Sequence, residues 1–198
     1  MQQTVTVQQI LPYIRVVLGI ILGLSITTLL KGIATIIEHP RRFGWSWIHM
    51  SWVIWALVSI VTLWWWEFSL SEVQTWTFGA YLFEIAYCSA YFLLASLLFP
   101  TDMRDFAGYE DYLLQRRRWF FGVVAVIFLL DIADTGLKGI DHWRRLGAAY
   151  PVRTAGMLAL AALGALGPGR RLQFALAVIA LVSSVAYFGW RYFSVTVI

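Results

Sequence analysis

Six apolar stretches, each long enough to cross a lipid bilayer as an α-helix, run through this sequence. Their expected limits are residues 13–37, 47–66, 78–99, 119–140, 150–167 and 172–194. One membrane-spanning helix needs about 20 apolar residues, so six of them use most of the 198 residues. The sequence therefore predicts an all-α integral membrane protein, a six-transmembrane-helix bundle that forms a single polytopic domain over residues 1–198.

Composition agrees with a chain whose main partner is the lipid bilayer. Hydrophobic residues make up 60% of the chain and charged residues only 13%, whereas about 25% of residues are charged in soluble domains. The net charge of +4 comes from arginines grouped between the apolar stretches rather than along one exposed face. This grouping favours orientation in a membrane over nucleic-acid binding, and no nucleic-acid partner is expected.

The distribution of arginines between the spans predicts the orientation. The second connection contains none and the fourth contains Arg144, Arg145 and Arg153, whereas the first, third and fifth contain Arg41, Arg42, Arg104, Arg116, Arg117, Arg118, Arg170 and Arg171. Because cytoplasmic connections carry the excess of Lys and Arg, both termini are expected on the non-cytoplasmic side. The expected location is a plasma membrane of the bacterial inner-membrane type.

The third connection has its own amphipathic pattern. Met103, Phe106 and Leu113 recur at roughly helical spacing among charged residues, which predicts a short interfacial helix between the third and fourth spans. The triplet Arg116, Arg117 and Arg118 follows it. This triplet either contacts anionic lipid headgroups or serves only as a topology anchor.

A four-residue motif that occurs twice suggests an internal repeat. Leu30-Lys31-Gly32-Ile33 recurs as Leu137-Lys138-Gly139-Ile140, and an acidic residue, a histidine and an arginine pair follow each copy. One interpretation is a 3+3 inverted repeat with halves 1–100 and 101–198, because an odd number of spans per half reverses the second half in the membrane. The other is a chance match in a chain rich in Leu, Gly and Ile.

Among the charged residues inside the predicted spans, five are candidates for a polar core: Lys31, Glu84, Asp131, Asp134 and Lys138. A charge at this depth is costly, so each one needs a partner or a function. Asp131, Asp134 and Lys138 share one helical face, and Asp134 precedes Lys138 by four residues, the spacing of an ion pair. The five residues are interpreted either as structural ion pairs or as the lining of a path for protons, ions or a small solute.

Aromatic residues near this polar core suggest a second feature. Trp52 and Trp55 lie deep in the second span, with His49 one turn before Trp52, and Tyr87 and Tyr91 lie on the face of the third span that carries Glu84. These five residues form a ligand wall in one interpretation and ordinary helix contacts in the other. The fifth span is rich in Gly and Ala, which predicts a central helix with closely packed neighbours.

No cofactor or metal is predicted. The single cysteine, Cys88, excludes an intrachain disulfide and the multi-cysteine metal sites. Only His49 lies inside a predicted span, so haem held between two histidines is not expected. The common hydrolase, metalloprotease and nucleotide-binding motifs are absent, which disfavours an enzyme.

Three functions remain open at this level. The leading one is a transporter or channel-like protein with the five charged residues in its polar core. The second is a non-catalytic subunit or assembly factor of a larger membrane complex, and the third is a lipid-binding protein or intramembrane enzyme. A homo-oligomer would favour the first and a foreign membrane partner the second.

Overall fold

The computed structural model describes residues 7–73 and 75–193, and within them the regular secondary structure is helical, without β-strands. Its helices are α1 (Val7–Glu38), α2 (Pro40–Phe43), α3 (Trp47–Trp66), α4 (Phe78–Leu98), α5 (Tyr109–Gln115), α6 (Arg117–Leu137), α7 (Ile140–Leu146), α8 (Ala149–Leu166) and α9 (Arg170–Phe193). A 3-10 helix, Glu67–Glu72, continues α3. The long helices confirm the predicted spans to within three residues, except that α1 begins six residues before the predicted start of the first span. The predicted end of the last span, residue 194, lies outside the described residues.

Six of these helices are long and apolar enough to cross a membrane. The candidate spans are Ile10–Glu38, Trp47–Glu72, Phe78–Leu98, Arg117–Leu137, Ala149–Leu166 and Arg170–Arg191. Together they confirm an all-α, multi-pass bundle, and α5 confirms the short helix expected between the third and fourth spans. The chain is therefore a multi-pass membrane protein.

Local signals explain where two of the spans begin. Ser46 precedes α3, and its hydroxyl accepts a hydrogen bond from the backbone N–H of His49 at 3.2 Å. Thr77 precedes α4 and accepts from the N–H of Ala80 at 3.1 Å. These hydroxyls satisfy backbone donors that have no partner inside the helix, as N-cap residues do.

Five of the spans form a closed ring in which α3 contacts α4, α4 contacts α6, α6 contacts α8, α8 contacts α9 and α9 contacts α3. The remaining span, α1, packs on α4 and on α3. The apolar part of α3 is 61% buried, whereas that of α8 is 33% buried. The expectation that the small residues of α8 mark the central helix is therefore wrong. Those residues instead allow close packing of α8 on α6, where the ring of Phe121 lies against Gly164.

Alternation of the spans gives the bundle two ends. The arginine-rich end contains residues 39–46, 99–116 and 167–169, and it is held together by Glu110, which bonds to Ser46 at 2.5 Å and to Arg170. The opposite end contains residues 67–73, 75–77 and 138–148, where Glu72 bonds to Arg145.

The structure does not confirm the proposed repeat, which stays a prediction. The two copies of its four-residue motif adopt different structures. Leu30–Ile33 lies within α1, whereas α6 ends at Leu137 and Gly139, with a φ of +100°, leads into α7. In the first half the outer spans α1 and α4 pack closely, whereas in the second half α6 packs mainly on α8.

Candidate functional site

A cluster of buried ionisable side chains lies between α3, α4 and α6, near the opposite end. It consists of Glu67, Glu84, Asp134 and Lys138, and Glu84 and Asp134 are completely inaccessible to solvent. Glu84 is six residues into α4, about 9 Å below the start of that helix. We call these four residues the acidic cluster. It contains three carboxyl groups and one ammonium group.

One ion pair inside the cluster matches the sequence expectation. The Lys138 ammonium donates to Asp134 Oδ2 at 2.7 Å, across the four-residue spacing that predicts such a pair. The same ammonium lies 5.7 Å from the centroid of the Trp66 ring, which adds a cation–π contact. Lys138 therefore compensates one carboxylate of the cluster.

The other two carboxyl groups have no such partner. Among the described residues, neither oxygen of Glu84 and neither oxygen of Glu67 has a hydrogen-bond partner. The ionisable groups that act on Glu84 are Asp134, Glu67 and Lys138, so a single cation serves all three acids. In the described part of the chain no three His, Cys, Asp or Glu residues are placed to hold a metal ion.

Asp131 lies on the same face of α6 but at the edge of a separate small cavity. Its Oδ1 accepts a hydrogen bond from the Tyr87 hydroxyl at 3.2 Å, and its Oδ2 has no partner within the described chain. The cavity has a volume of about 30 Å³. That volume is enough for a water molecule, which needs at least about 10–15 Å³ and two or more polar partners.

Arg153 faces the same cavity from α8. Its guanidinium carbon lies 4.9–5.2 Å from the ring centroids of Phe128, Tyr187 and Phe188. An arginine enclosed by three aromatic rings is held by cation–π contacts while its charge remains available to a nearby acid. Arg153 was expected in a connection between spans, but it lies inside α8, and its side chain packs among the rings that line this cavity.

A layer of polar residues covers the acidic cluster at the opposite end. His142 of α7 contacts Glu72 Oε2 through Nδ1 at 3.1 Å, and Arg145 bonds to the same carboxylate. The ring of Trp66 meets the His142 ring edge-on at 5.2 Å. Burial lowers the pKa of His142, and the Glu72 carboxylate opposes this shift in part. Trp66 thus contacts both His142 in the covering layer and Lys138 in the cluster.

Lys31 is the one predicted core charge that the structure does not bring to this region. It is exposed on α1 and lines an open groove of about 730 Å³ at the arginine-rich end, together with Thr28, Thr35 and Arg42. The depth of Lys31 along α1 follows from the sequence, but the rotation of an almost uniformly apolar helix does not. The placement of Lys31 in the polar core is corrected accordingly.

The five residues of the predicted ligand wall occupy different surroundings. His49 is buried at the arginine-rich end, where its Nε2 lies 2.8 Å from the Leu98 carbonyl oxygen. Trp52 packs edge-on against Phe120 and Phe121, and Trp55 packs on Phe128 while donating from Nε1 to Ser184 Oγ at 3.0 Å. Only Tyr87 and Tyr91 line the small cavity beside Asp131. No single wall unites the five.

The Trp52 contacts form part of a layer that fills the bundle on the arginine-rich side of the acidic cluster. We define the aromatic layer as Trp52, Trp55, Phe120, Phe121 and Phe128, all of which are buried. Edge-to-face contacts at 5.0–5.4 Å join Trp52 to Phe120, Phe121 and Trp55. Such rings pack densely and leave little room for water.

The arginine triplet marks the end of the interfacial helix. Arg116 lies over the ring of Phe106 at 5.9 Å, and Arg117 Nη1 donates to the Leu114 carbonyl oxygen at 3.0 Å. Arg116 and Arg118 are exposed. Contact with anionic lipid at these residues stays a prediction.

Three residues of the site, Glu67, Tyr150 and Arg153, were not predicted from the sequence. Glu67 follows the predicted end of the second span, residue 66, but the 3-10 helix continues α3 and buries it. The Tyr150 hydroxyl donates to the Asp131 carbonyl oxygen at 3.1 Å and accepts from Thr135 Oγ1 at 2.9 Å. A usable signal for Glu67 was its position directly after the uninterrupted apolar run of α3.

Comparison with protein-family models, with curated proteins and with solved structures finds no significant match to this chain. The class of the protein therefore follows from the fold alone: it is a multi-pass α-helical membrane protein with six candidate spans.

Proposed function

We propose that the protein is a membrane transport protein that binds and releases protons at the acidic cluster. The observation that carries this proposal is the pair of buried carboxyl groups, Glu67 and Glu84, that lack hydrogen-bond partners in the described chain while Lys138 is engaged by Asp134. Buried acids of this kind in membrane proteins typically belong to proton relays and ion pathways.

Charge balance supports a proton as the bound species. With all three acids ionised, the acidic cluster would carry a net charge of −2, which is costly in a site screened from water. A proton on one or two carboxyl groups removes this excess. One shared proton between Glu84 and Asp134 would also give Asp134 Oδ1, which has no partner in the described chain, a hydrogen bond.

A route for protons to the opposite end runs past Trp66. His142 and Glu72 lie there in contact, and Nε2 of His142 is buried without a hydrogen-bond partner among the described residues. Histidine exchanges protons near neutral pH, which suits it to carry them between water and a buried acid. With the arginine-rich end in the cytoplasm, as the distribution of arginines predicts, this route faces the non-cytoplasmic side.

The aromatic layer blocks a direct route to the other end. Trp52 and Val53 are fully buried on α3, the most buried of the six spans, and Phe120 and Phe121 of α6 pack against Trp52. Passage across the whole membrane therefore needs this layer to rearrange. The proposed mechanism is accordingly a gated carrier rather than an open pore.

Proton flux into liposomes tests this function. Purified protein is reconstituted in vesicles that contain a pH-sensitive dye, and a potassium diffusion potential drives proton entry. We expect flux with the native chain, none with Glu84→Gln and a strong reduction with Asp131→Asn. Asp141→Asn is the matched control, because Asp141 is an exposed acid at the same end. Equal flux in Glu84→Gln and the native chain would reject the proposal.

A second candidate is a non-catalytic subunit of a larger membrane complex. The closed aromatic layer favours it, because a purely structural bundle needs no path through its centre. Purification under native conditions separates the two functions: a stoichiometric foreign membrane protein together with absent flux supports the subunit, and a flux-competent protein without such a partner supports transport.

A further inference from the structure

We infer that the groove beside Lys31 binds the headgroup of an anionic phospholipid. This Lys31 groove is formed by the last turns of α1, by α2 and by the segment that follows α4, and its volume is about 730 Å³. The residues that matter for binding are Lys31, Arg42, Gly32, Phe99, Asp102 and Arg104. The acidic cluster and its proposed protons play no part here.

The electrostatics of the groove favour an anion. Within the described residues, no carboxylate lies within ion-pair distance of Lys31 or Arg42. Asp102, the acid that lines the groove, is already engaged by Arg104 at 2.6 Å, and hydrogen bonds from Arg104 lower the pKa of Asp102. Two cations thus remain without a counter-charge.

The threonine hydroxyl groups near Lys31 already donate their hydrogen bonds within α1, so the two cations are the groups that bind the anion. Thr28 donates to the Leu24 carbonyl oxygen at 2.9 Å and Thr35 to the Lys31 carbonyl oxygen at 3.0 Å, so both are bonded within α1. The floor of the groove is preformed: the Phe99 ring lies so close to Gly32 that a Cβ at this position would overlap it. The ligand therefore meets one ammonium group, from Lys31, and one guanidinium group, from Arg42, beside a fixed apolar floor.

The depth of Lys31 identifies a lipid as the source of the anion. Lys31 is seven residues before the end of α1, or about 10 Å along the helix axis, whereas Arg42 lies beyond that end. The neighbouring surface of α1 exposes Leu24, Leu30 and Ile37, which acyl chains can cover. A phosphodiester bound between the two cations would keep its chains in the hydrocarbon layer, where a soluble anion does not enter.

Native mass spectrometry of the detergent-solubilised full chain tests this inference. Phosphatidylglycerol and phosphatidylcholine with identical acyl chains are titrated separately, and glycerol phosphate is added as the soluble competitor. We expect tighter binding of phosphatidylglycerol. Lys31→Gln and Arg42→Gln should each weaken its binding about fivefold, because one basic residue near the membrane surface contributes about that factor.

Two controls keep the result interpretable. Arg41→Gln removes an exposed arginine of α2 that does not line the groove and should leave phosphatidylglycerol binding unchanged. Lys31→Arg keeps the charge and should retain most of the binding. Equal affinity for the two lipids, or an equal loss in Arg41→Gln and Lys31→Gln, would overturn the inference. Full displacement by glycerol phosphate would instead reveal a site for soluble anions, which also contradicts it.

Discussion

The Lys138 ammonium and the Asp134 carboxylate form an ion pair at 2.7 Å, and both side chains are completely buried. Ion pairs of this kind are costly to break on one side, because the remaining charge has no water to solvate it. In this protein the two partners are not equivalent. Lys138 has two further carboxyl groups nearby, whereas Asp134 has Lys138 as its single bonded cation.

This inequality predicts an asymmetric response to mutation. Lys138→Met leaves three buried acids without a cation and should destabilise the protein by about 3–5 kcal/mol, the usual cost of breaking a buried pair. Asp134→Asn should cost less, because Lys138 can turn to Glu67 or Glu84. Thermal unfolding in one detergent measures the order. The exposed pair Arg144–Asp141 provides the control: Asp141→Asn should change stability by less than about 1 kcal/mol. A larger loss in Asp134→Asn than in Lys138→Met would contradict this description of the cluster.

Close packing of α8 on α6 gives a second prediction. The Phe121 ring fills the space beside Gly164, whereas no atom lies within 4 Å of a Cβ built on Gly156 of the same helix. Gly164→Ala should therefore destabilise the protein by about 1–3 kcal/mol through overpacking, while Gly156→Ala should be neutral or slightly stabilising. Thermal unfolding of the two single variants measures this difference. Phe121→Leu combined with Gly164→Ala should recover part of the loss, and equal effects of the two alanine variants would refute the packing.

The burial of His142 predicts a dependence of stability on pH. Burial lowers the pKa of His142 in the folded protein, so the unfolded chain, with an ordinary value near 6.5, takes up the proton more readily. Stability should therefore fall as the pH decreases below about 6.5 and should be level above it, as far as this residue contributes. Unfolding temperatures measured in steps of pH for the native chain and for His142→Gln isolate the effect. An unchanged slope in His142→Gln would show that another group is responsible.

The sequence was sufficient for the fold because hydrophobic length determines spans directly. A helix that crosses hydrocarbon must satisfy its own backbone hydrogen bonds and expose apolar side chains, so the six stretches were recognisable without any tertiary information. The interfacial helix before Arg116 was visible for a related reason, since it alternates between lipid and water. The sequence did not reveal that α3, rather than α8, is the most buried span. The small residues of α8 indicate close approach of a neighbouring helix rather than burial of α8 itself.

The site was only partly predictable, because apolar patterning does not report which side of a membrane helix faces inward. In water the polar side of a helix identifies the exposed face, but in lipid both the core and the surface are apolar. Asp134 and Lys138 could be paired from their spacing on one helix. The exposure of Lys31 depends on the rotation of α1, and the burial of Glu67 depends on the 3-10 continuation of α3. Neither quantity is encoded in local composition.

The most direct test of the central claim is infrared spectroscopy of the acidic cluster in lipid bilayers at neutral pH. A protonated carboxyl group has a carbonyl-stretching band that shifts when water is replaced by heavy water. An ionised carboxylate lacks this band. We expect the native chain to show this band, Glu84→Gln to lose most of it and Asp141→Asn to keep it. A spectrum without the band, or a band that neither Glu84→Gln nor Glu67→Gln reduces, would contradict proton binding at the buried acids.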